Sequence, residues 1–430
     1  MSIAFSLLLI CIVFASGTAI QDGAAAQSLI AVFTVAALAS IGLSARTADV
    51  KFASQVTRGL KLIAAIPAVW MALQILPTPI GAHSIWSYAN EALGRQALGH
   101  ISVDLGVTIV SLIGYLANLA LILVGIFVTA DRRRAELVLF VLAGATAVTA
   151  ILLVFAELGL FAAGSARDAD RIQGAVSALA ILASLACGVR ALERHESRTP
   201  QGKTVAREVV FGSVAAMAGL ACGTIGLALA GSLNNALVTI FGIALFASVQ
   251  TVRRLGLGAW ATATLGATLV LAAAMIIAWR YDPARAVSPF LQFANTFSAE
   301  SLSTVQRMMT DAGWQGTGAG TFAAMASIYQ DLAGAEIRPI TTVSTLAIEL
   351  GWPAVFFSVA AAGLLFVLLY RGSLRRGRDS FYPALAASCT FIVVAQAFCD
   401  ASLLNSCIAI MVDAIVALGL AQSISRRDGL

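Results

Sequence analysis

The chain has 430 residues, of which 59% are apolar and 11% charged, with a formal net charge of +5 and a mean hydropathy of +0.90. That composition excludes an ordinary set of soluble domains and points to an integral membrane protein. The basic excess does not point to nucleic acid, because the 27 Lys and Arg residues fall in short clusters between apolar runs rather than on one face with interleaved aromatics.

A bilayer core takes roughly 20 apolar residues per helix. Twelve runs of that kind are expected to be helical: 3–20, 27–44, 60–77, 104–128, 135–156, 172–189, 209–228, 233–250, 257–279, 344–370, 382–399 and 403–422. The first is counted as a helix because no basic stretch precedes it and no cleavage site is convincing. Backbone amides in hydrocarbon must be bonded internally, and the runs lack the alternation of a barrel strand, so the class is an all-α polytopic membrane bundle. Residues 1–279 carry nine of the helices, 280–343 form one long connecting segment with short helices, and 344–430 carry the last three. The six cysteines, Cys11, Cys187, Cys222, Cys389, Cys399 and Cys407, lie in or beside apolar runs with no CxxC, and are expected as free thiols. His83 and His100 match no zinc-ligand spacing, so no metal is expected, and no nucleotide or other cofactor is implied. Acidic residues at membrane level are few: Asp413 near the middle of the last helix, and Glu157 and Asp400 near helix ends.

Orientation follows from the arginines. Twenty of the 27 basic residues fall in alternate loops: Arg46 to Lys61, Arg132 to Arg134, Arg190 to Arg207, Arg253 and Arg254, Arg371 to Arg378, and Arg426 and Arg427. The other 7 are Arg95, Arg167, Arg171, Arg280, Arg285, Arg307 and Arg338. Both termini are therefore expected in the cytoplasm and segment 280–343 on the opposite side.

That segment is long for a chain otherwise joined by short turns, which marks it as functional or disordered, and its aromatic content argues against disorder. Ser298 is placed to cap a helix, with Glu300 in its first turn and Leu302, Val305, Met308, Met309 and Ala312 on one apolar face. Arg307 projects elsewhere. The run Gly313-Trp314-Gln315-Gly316-Thr317-Gly318-Ala319-Gly320-Thr321-Phe322 either makes a tight turn or lets consecutive amides cradle an anion at the start of the next helix. It lacks the Gly-Lys-Ser/Thr of a nucleotide loop. Tyr329, Asp331, Glu336 and Arg338 follow. Glu349 then stands near the start of a membrane helix, where a buried carboxylate needs an arginine or hydroxyl partner. It either braces the loop as an ion pair or orients and deprotonates an acceptor hydroxyl.

These stretches resemble the O-antigen ligase and O-antigen/exopolysaccharide polymerase family of membrane glycosyltransferases. Met308 to Phe322 resembles its glycine-rich loop, Leu346 to Trp352 its Leu-x-x-x-Glu-x-Gly helix start, and Leu227 to Phe241 the place of its Thr-x-Ser-Arg-Gly helix. Pro77, Pro79 and Trp86 resemble the family's outer loop. The chain departs at Ser232-Leu233-Asn234-Asn235, where the family often has Ser-Arg, and at Pro339 to Thr342, where its His-Asn pair commonly stands. The resemblance implies a bacterial inner-membrane enzyme that moves a saccharide from a polyprenyl diphosphate-linked donor to a glycan or lipid acceptor, alongside membrane lipids and polysaccharide-assembly proteins. Arg280, Arg285, Arg307 and Arg338 would hold the diphosphate, because a guanidinium binds phosphate oxygens in pairs. Gly316, Gly318, Gly320 and Tyr329 would border the substrate, and Glu349 or His100 would serve the acceptor. A transporter or flippase, most sensitive at Asp413, or a non-catalytic assembly partner is the alternative.

Overall fold

The computed structural model describes residues 2–78, 81–94, 98–160, 163–196, 203–256, 259–281, 287–295, 298–330, 337–375 and 379–424. Pro79, Arg95, Arg285, Asp331 and Glu336, each singled out above, lie outside the described residues. The elements in chain order are α1 (Ser2–Thr18), α2 (Ala24–Ser44), α3 (Thr47–Val56), α4 (Lys61–Ile75), α5 (Ile85–Leu93), α6 (Leu105–Thr129), α7 (Arg132–Glu157), α8 (Ala163–Glu196) and α9 (Lys203–Leu229). They continue with α10 (Leu233–Arg254), α11 (Ala259–Arg280), α12 (Ala299–Asp311), α13 (Phe322–Tyr329), α14 (Thr342–Leu350), α15 (Trp352–Arg375), α16 (Phe381–Ala397) and α17 (Ser406–Ser423). The protein is a multi-pass helical membrane bundle.

Every expected apolar run lies on a helix, but the count of twelve spans is not reached among the described residues. Eight helices are long and apolar enough to cross a bilayer: α2, α6, α7, residues Arg171–Arg194 of α8, residues Gly212–Leu229 of α9, α10, α15 and α17. A ninth arises if α3 and α4, which meet at 78°, form one broken span. The apolar helices α1 and α16 have 17 residues each, short of a full crossing at 1.5 Å per residue. The expected helix 344–370 is instead two, because Gly351 at φ 86° breaks it between α14 and α15.

Polar caps start several spans. Asp104, Asp131, Ser232 and Asn405 each accept an amide from the first turn of the helix they precede. Two helices sit centrally: the spanning stretches of α8 and α17 are 78% and 72% buried, against 11% for α15 at the edge. Lipid offers no hydrophobic drive between helices, so close approach through small residues does the packing. An added Cβ on Gly125 of α6 would meet the Ala417 side chain of α17 at 2.5 Å, and one on Gly223 of α9 would meet Ile181 of α8 at 2.7 Å. Beside this main core lies a second, smaller one, in which Val305 and Met308 of α12, Phe322 and Met325 of α13, Ile348 of α14 and Leu291 are buried together. It holds the short helices of segment 280–343 against α14.

Candidate functional site

Helix α14 is fastened at both ends. At its start, Thr341 accepts the Ser344 amide at 3.0 Å while its own amide donates to the Ser344 hydroxyl at 3.3 Å, a reciprocal cap. At its end, the Thr317 amide donates to Ile348 O and the Gly318 amide to Glu349 O, both at 2.9 Å, and the Trp70 indole donates to Leu350 O at 3.0 Å. These bonds satisfy carbonyls that a helix C-terminus otherwise leaves open. Gln74 of α4 completes the fastening. Its amide nitrogen donates to Gln315 O at 3.1 Å and Glu349 O at 3.0 Å, and its oxygen accepts from the Ala319 amide at 3.2 Å.

This geometry explains the glycines. Gly316 and Gly351 lie so close to backbone that a Cβ on the first would strike the Glu349 carbonyl and one on the second the Trp314 carbonyl, and both have positive φ. Gly318 lies against Ser102, and Gly320 against Ser111 of α6. Gly316, Gly318 and Gly320 thus bring the loop onto α14, residues 100–103 and α6.

Glu349 joins the same knot, with a different partner from the one expected. Its Oε1 accepts the Phe322 amide at 3.2 Å, and the Gly320 amide also bonds to it. The N-cap of α13, Thr321, offers no side-chain bond, so the chain's own carboxylate occupies the amide-rich start of that helix. Burial lifts the half-buried Glu349 carboxyl from 4.5 to about 7, against the opposing pull of those two amides.

His100 belongs to the neighbouring layer. Residues 100–103 pair with Pro77, with Gln74 O through the Ser102 amide, and with Thr317 O through the Val103 amide. The His100 Nδ1 lies 2.8 Å from Ile75 O; a carbonyl only accepts, so Nδ1 carries a proton and Nε2 is the nitrogen left to take one. Trp86 packs edge-on against the ring at 5.2 Å. Glu349 and His100 thus bond to adjacent residues, Gln74 and Ile75.

The start of α14 meets a second polar network. The Thr342 amide and hydroxyl donate to Asp400 O at 2.9 and 3.1 Å. The buried Asp400 carboxylate accepts from the Asn235 side chain and the Ser402 amide, each at 3.0 Å, and burial raises its pKa. Next to it, Asn234 donates to Phe293 O and Asn295 Oδ1 and accepts from the Arg280 guanidinium at 2.8 Å. Arg280 therefore supplies a guanidinium at the start of α10, where the sequence itself carries Asn234 and Asn235.

Between these two ends, one flank of α14 opens on a cleft of about 390 Å³ bordered by Phe290, Gln306, Gly313, Ala347, Trp352 and Phe356, among others. Phe356 packs edge-on against both Phe290 and Trp352, with ring centroids 6.3 and 5.9 Å apart. Ala347 borders the cleft, whereas Glu349 faces the glycine loop. The cleft and the loop meet at Gly351, between Trp352 and Trp314.

The remaining cations are distributed. Arg307 is exposed on α12 and acts electrostatically on Tyr329, whose hydroxyl donates to Asp311 at 2.5 Å. Burial and that bond push the Tyr329 hydroxyl up to about 12. Arg338 is half-buried just before α14. Arg280 and Arg307 thus belong to separate networks, one at the start of α10 and one between α12 and α13. Sequence reading passed over Gln74, named Asn234 and Asn235 only as a departure from the family pattern, and noted Asp400 without assigning it to the site. The available signals were an amide inside an otherwise apolar run and an Asn-Asn pair at a helix start.

No protein-family model matches the chain, and no curated protein sequence does either. The likeness to the ligase and polymerase family therefore rests on its short motifs alone.

Proposed function

We propose that the protein is a membrane glycosyltransferase of the O-antigen ligase or polysaccharide polymerase type, working at the periplasmic face of a bacterial inner membrane. It moves a saccharide from a polyprenyl diphosphate-linked donor to a hydroxyl of a glycan or lipid acceptor. The observation that carries this reading is the cleft along α14. Its aromatic walls, Phe290, Trp352 and Phe356, offer faces for sugar rings, its Ser288, Gln306 and Thr310 offer hydrogen bonds, and it lies where the membrane helix α15 begins.

In this reading Arg280, at the start of α10 beside the α14 network, supplies positive charge to the diphosphate, Arg285 and Arg338 are further candidates, and Arg307 and Tyr329, in their separate network, border the substrate. The acceptor oxygen attacks the anomeric carbon, the bond from that carbon to the diphosphate breaks, and polyprenyl diphosphate leaves with the electron pair. The acceptor's proton passes to Glu349 or to His100 Nε2. The reacting atoms meet at the Gly351 end of α14, where the cleft adjoins the loop. Glu349 suits the task because a carboxyl of pKa about 7 exchanges protons near neutrality.

The test is to delete the gene, profile surface glycans by chain length, and complement with Trp352→Ala, Gln306→Ala or Arg280→Ala. Polymer or attached glycan is expected to fall at least about tenfold with each variant, since lost transition-state contacts of 1.4 kcal/mol already give that factor. Wild-type profiles with all three variants present in the membrane would overturn the reading. One observation favours transport instead: Asp413, within α17, has a buried carboxylate oxygen with no hydrogen-bond partner. A transporter would fail on Asp413→Asn and tolerate the cleft substitutions.

A further inference from the structure

Between α7, α8 and α9 the bundle holds a second cavity, sharing no lining residue with the α14 cleft, that the glycosyl-transfer reading does not use. Helices α7, α8 and α9 enclose about 550 Å³, within the range of small-molecule sites. Its walls are mainly apolar and small, including Gly144, Ala147, Ala215 and Gly219, and Arg190 and Arg194 line it together with Phe140. An added Cβ on Gly144 would meet nothing within 4 Å, so the cavity is open there.

Arg190 is the informative residue. It is only 7% exposed, its guanidinium lies 4.4 Å over the Phe140 ring, and one terminal nitrogen reaches Glu136 at 2.6 Å. Its Nε, however, is buried without a hydrogen-bond partner. A buried guanidinium keeps its charge, so an unmatched donor at a cavity wall calls for an acceptor. The same Glu136 oxygen also takes Arg194 at 2.6 Å. Glu136 is thus shared among Arg132, Arg190 and Arg194 and gives Arg190 no carboxylate of its own. Hydrocarbon walls ending in a buried guanidinium with an open donor match the tail and phosphate of an anionic lipid.

We propose that this groove is a binding site for an anionic phospholipid, with an acyl chain between α7 and α9 and the phosphate on Arg190. The small side chains leave room for the chain, and Glu136 holds the two guanidinium groups in place. The site is separate from the α14 cleft, so it stands whether or not the protein transfers sugars.

The test uses the full-length protein in delipidated detergent micelles, titrated with phosphatidylglycerol, phosphatidylcholine or inorganic phosphate and read by native mass spectrometry. Wild type should retain phosphatidylglycerol at least tenfold better than phosphatidylcholine, and inorganic phosphate should not displace it. Arg190→Gln should lose the preference. Gly144→Leu fills open space and leaves the arginines intact, so it should keep the fold and lose the lipid. Equal retention of the two lipids, displacement by inorganic phosphate alone, or undiminished phosphatidylglycerol binding by Gly144→Leu would each overturn the proposal.

Discussion

Single residues carry much of the candidate site, and Glu349 carries most. Sequence alone indicates a carboxylate at a costly depth that needs a partner, and either an arginine or a hydroxyl is the expected one. The structure supplies backbone amides of its own chain instead, because Gly320 and Phe322 present the open start of α13 to it. The sign of the resulting pH effect is fixed. With a folded pKa near 7 and an ordinary value of 4.5, the folded protein holds a proton that the unfolded chain has released between those pH values. Stability is therefore greatest below about 4.5, falls as pH rises towards 7 by at most about 3 kcal/mol, and is level above. Unfolding midpoints in detergent across that range should show the decline, and Glu349→Gln should flatten it. The same variant separates two roles: an amide still accepts the Phe322 bond but takes no proton, so retained fold with lost glycan assembly marks Glu349 as the proton acceptor.

At the scale of elements, amphipathic and capping signals were readable from sequence and tertiary fastenings were not. Ser298 caps α12 as expected, accepting the Ser301 amide at 3.1 Å, and Val305 and Met308 are buried on its apolar face. The glycine run was legible as a place where backbone comes close. What it approaches is α14, and no local pattern could indicate that, since Gly316 and Gly351 are far apart in the chain and α4 supplies the third member. The 78° turn between α3 and α4 was equally hidden, because α3 lies in the Arg46-to-Lys61 stretch that reads as a basic loop. Gln74→Leu tests the fastening. It leaves the Gln315 and Glu349 carbonyls and the Ala319 amide without that partner, each worth about 1–3 kcal/mol when stranded in the interior. The unfolding midpoint should fall well below that of a Leu73→Ala control, a side chain that is 42% exposed on the same helix.

For the whole molecule, hydropathy announces a membrane bundle directly, while the number of crossings depends on bends and short helices that composition does not resolve. Sidedness rests on the arginine asymmetry. The arrangement expected from it can be read with cysteines, because the six native thiols are buried or half-buried and give little background. Ser303→Cys on α12 should react in intact cells with a maleimide that cannot cross the inner membrane, and Ser44→Cys should react only after lysis. Labelling of both in intact cells, or the reverse pattern, would overturn the assigned topology.

Helix α8 presents Gln173, Ser177, Ser184 and Arg190 fully or almost fully enclosed by its neighbours. Gly219, Gly223 and Gly226 of α9 bring that helix against Ser184, Ile181 and Gln173. Facing acyl chains alone, those groups would lie unsolvated. During synthesis, then, the helix that forms the middle of the protein is a poor guest of the bilayer until the next one emerges from the ribosome. Insertion of α8 is therefore expected to be favoured by α7, which meets Arg190 and Gln173, and by α9, which covers Ser184 and Ile181.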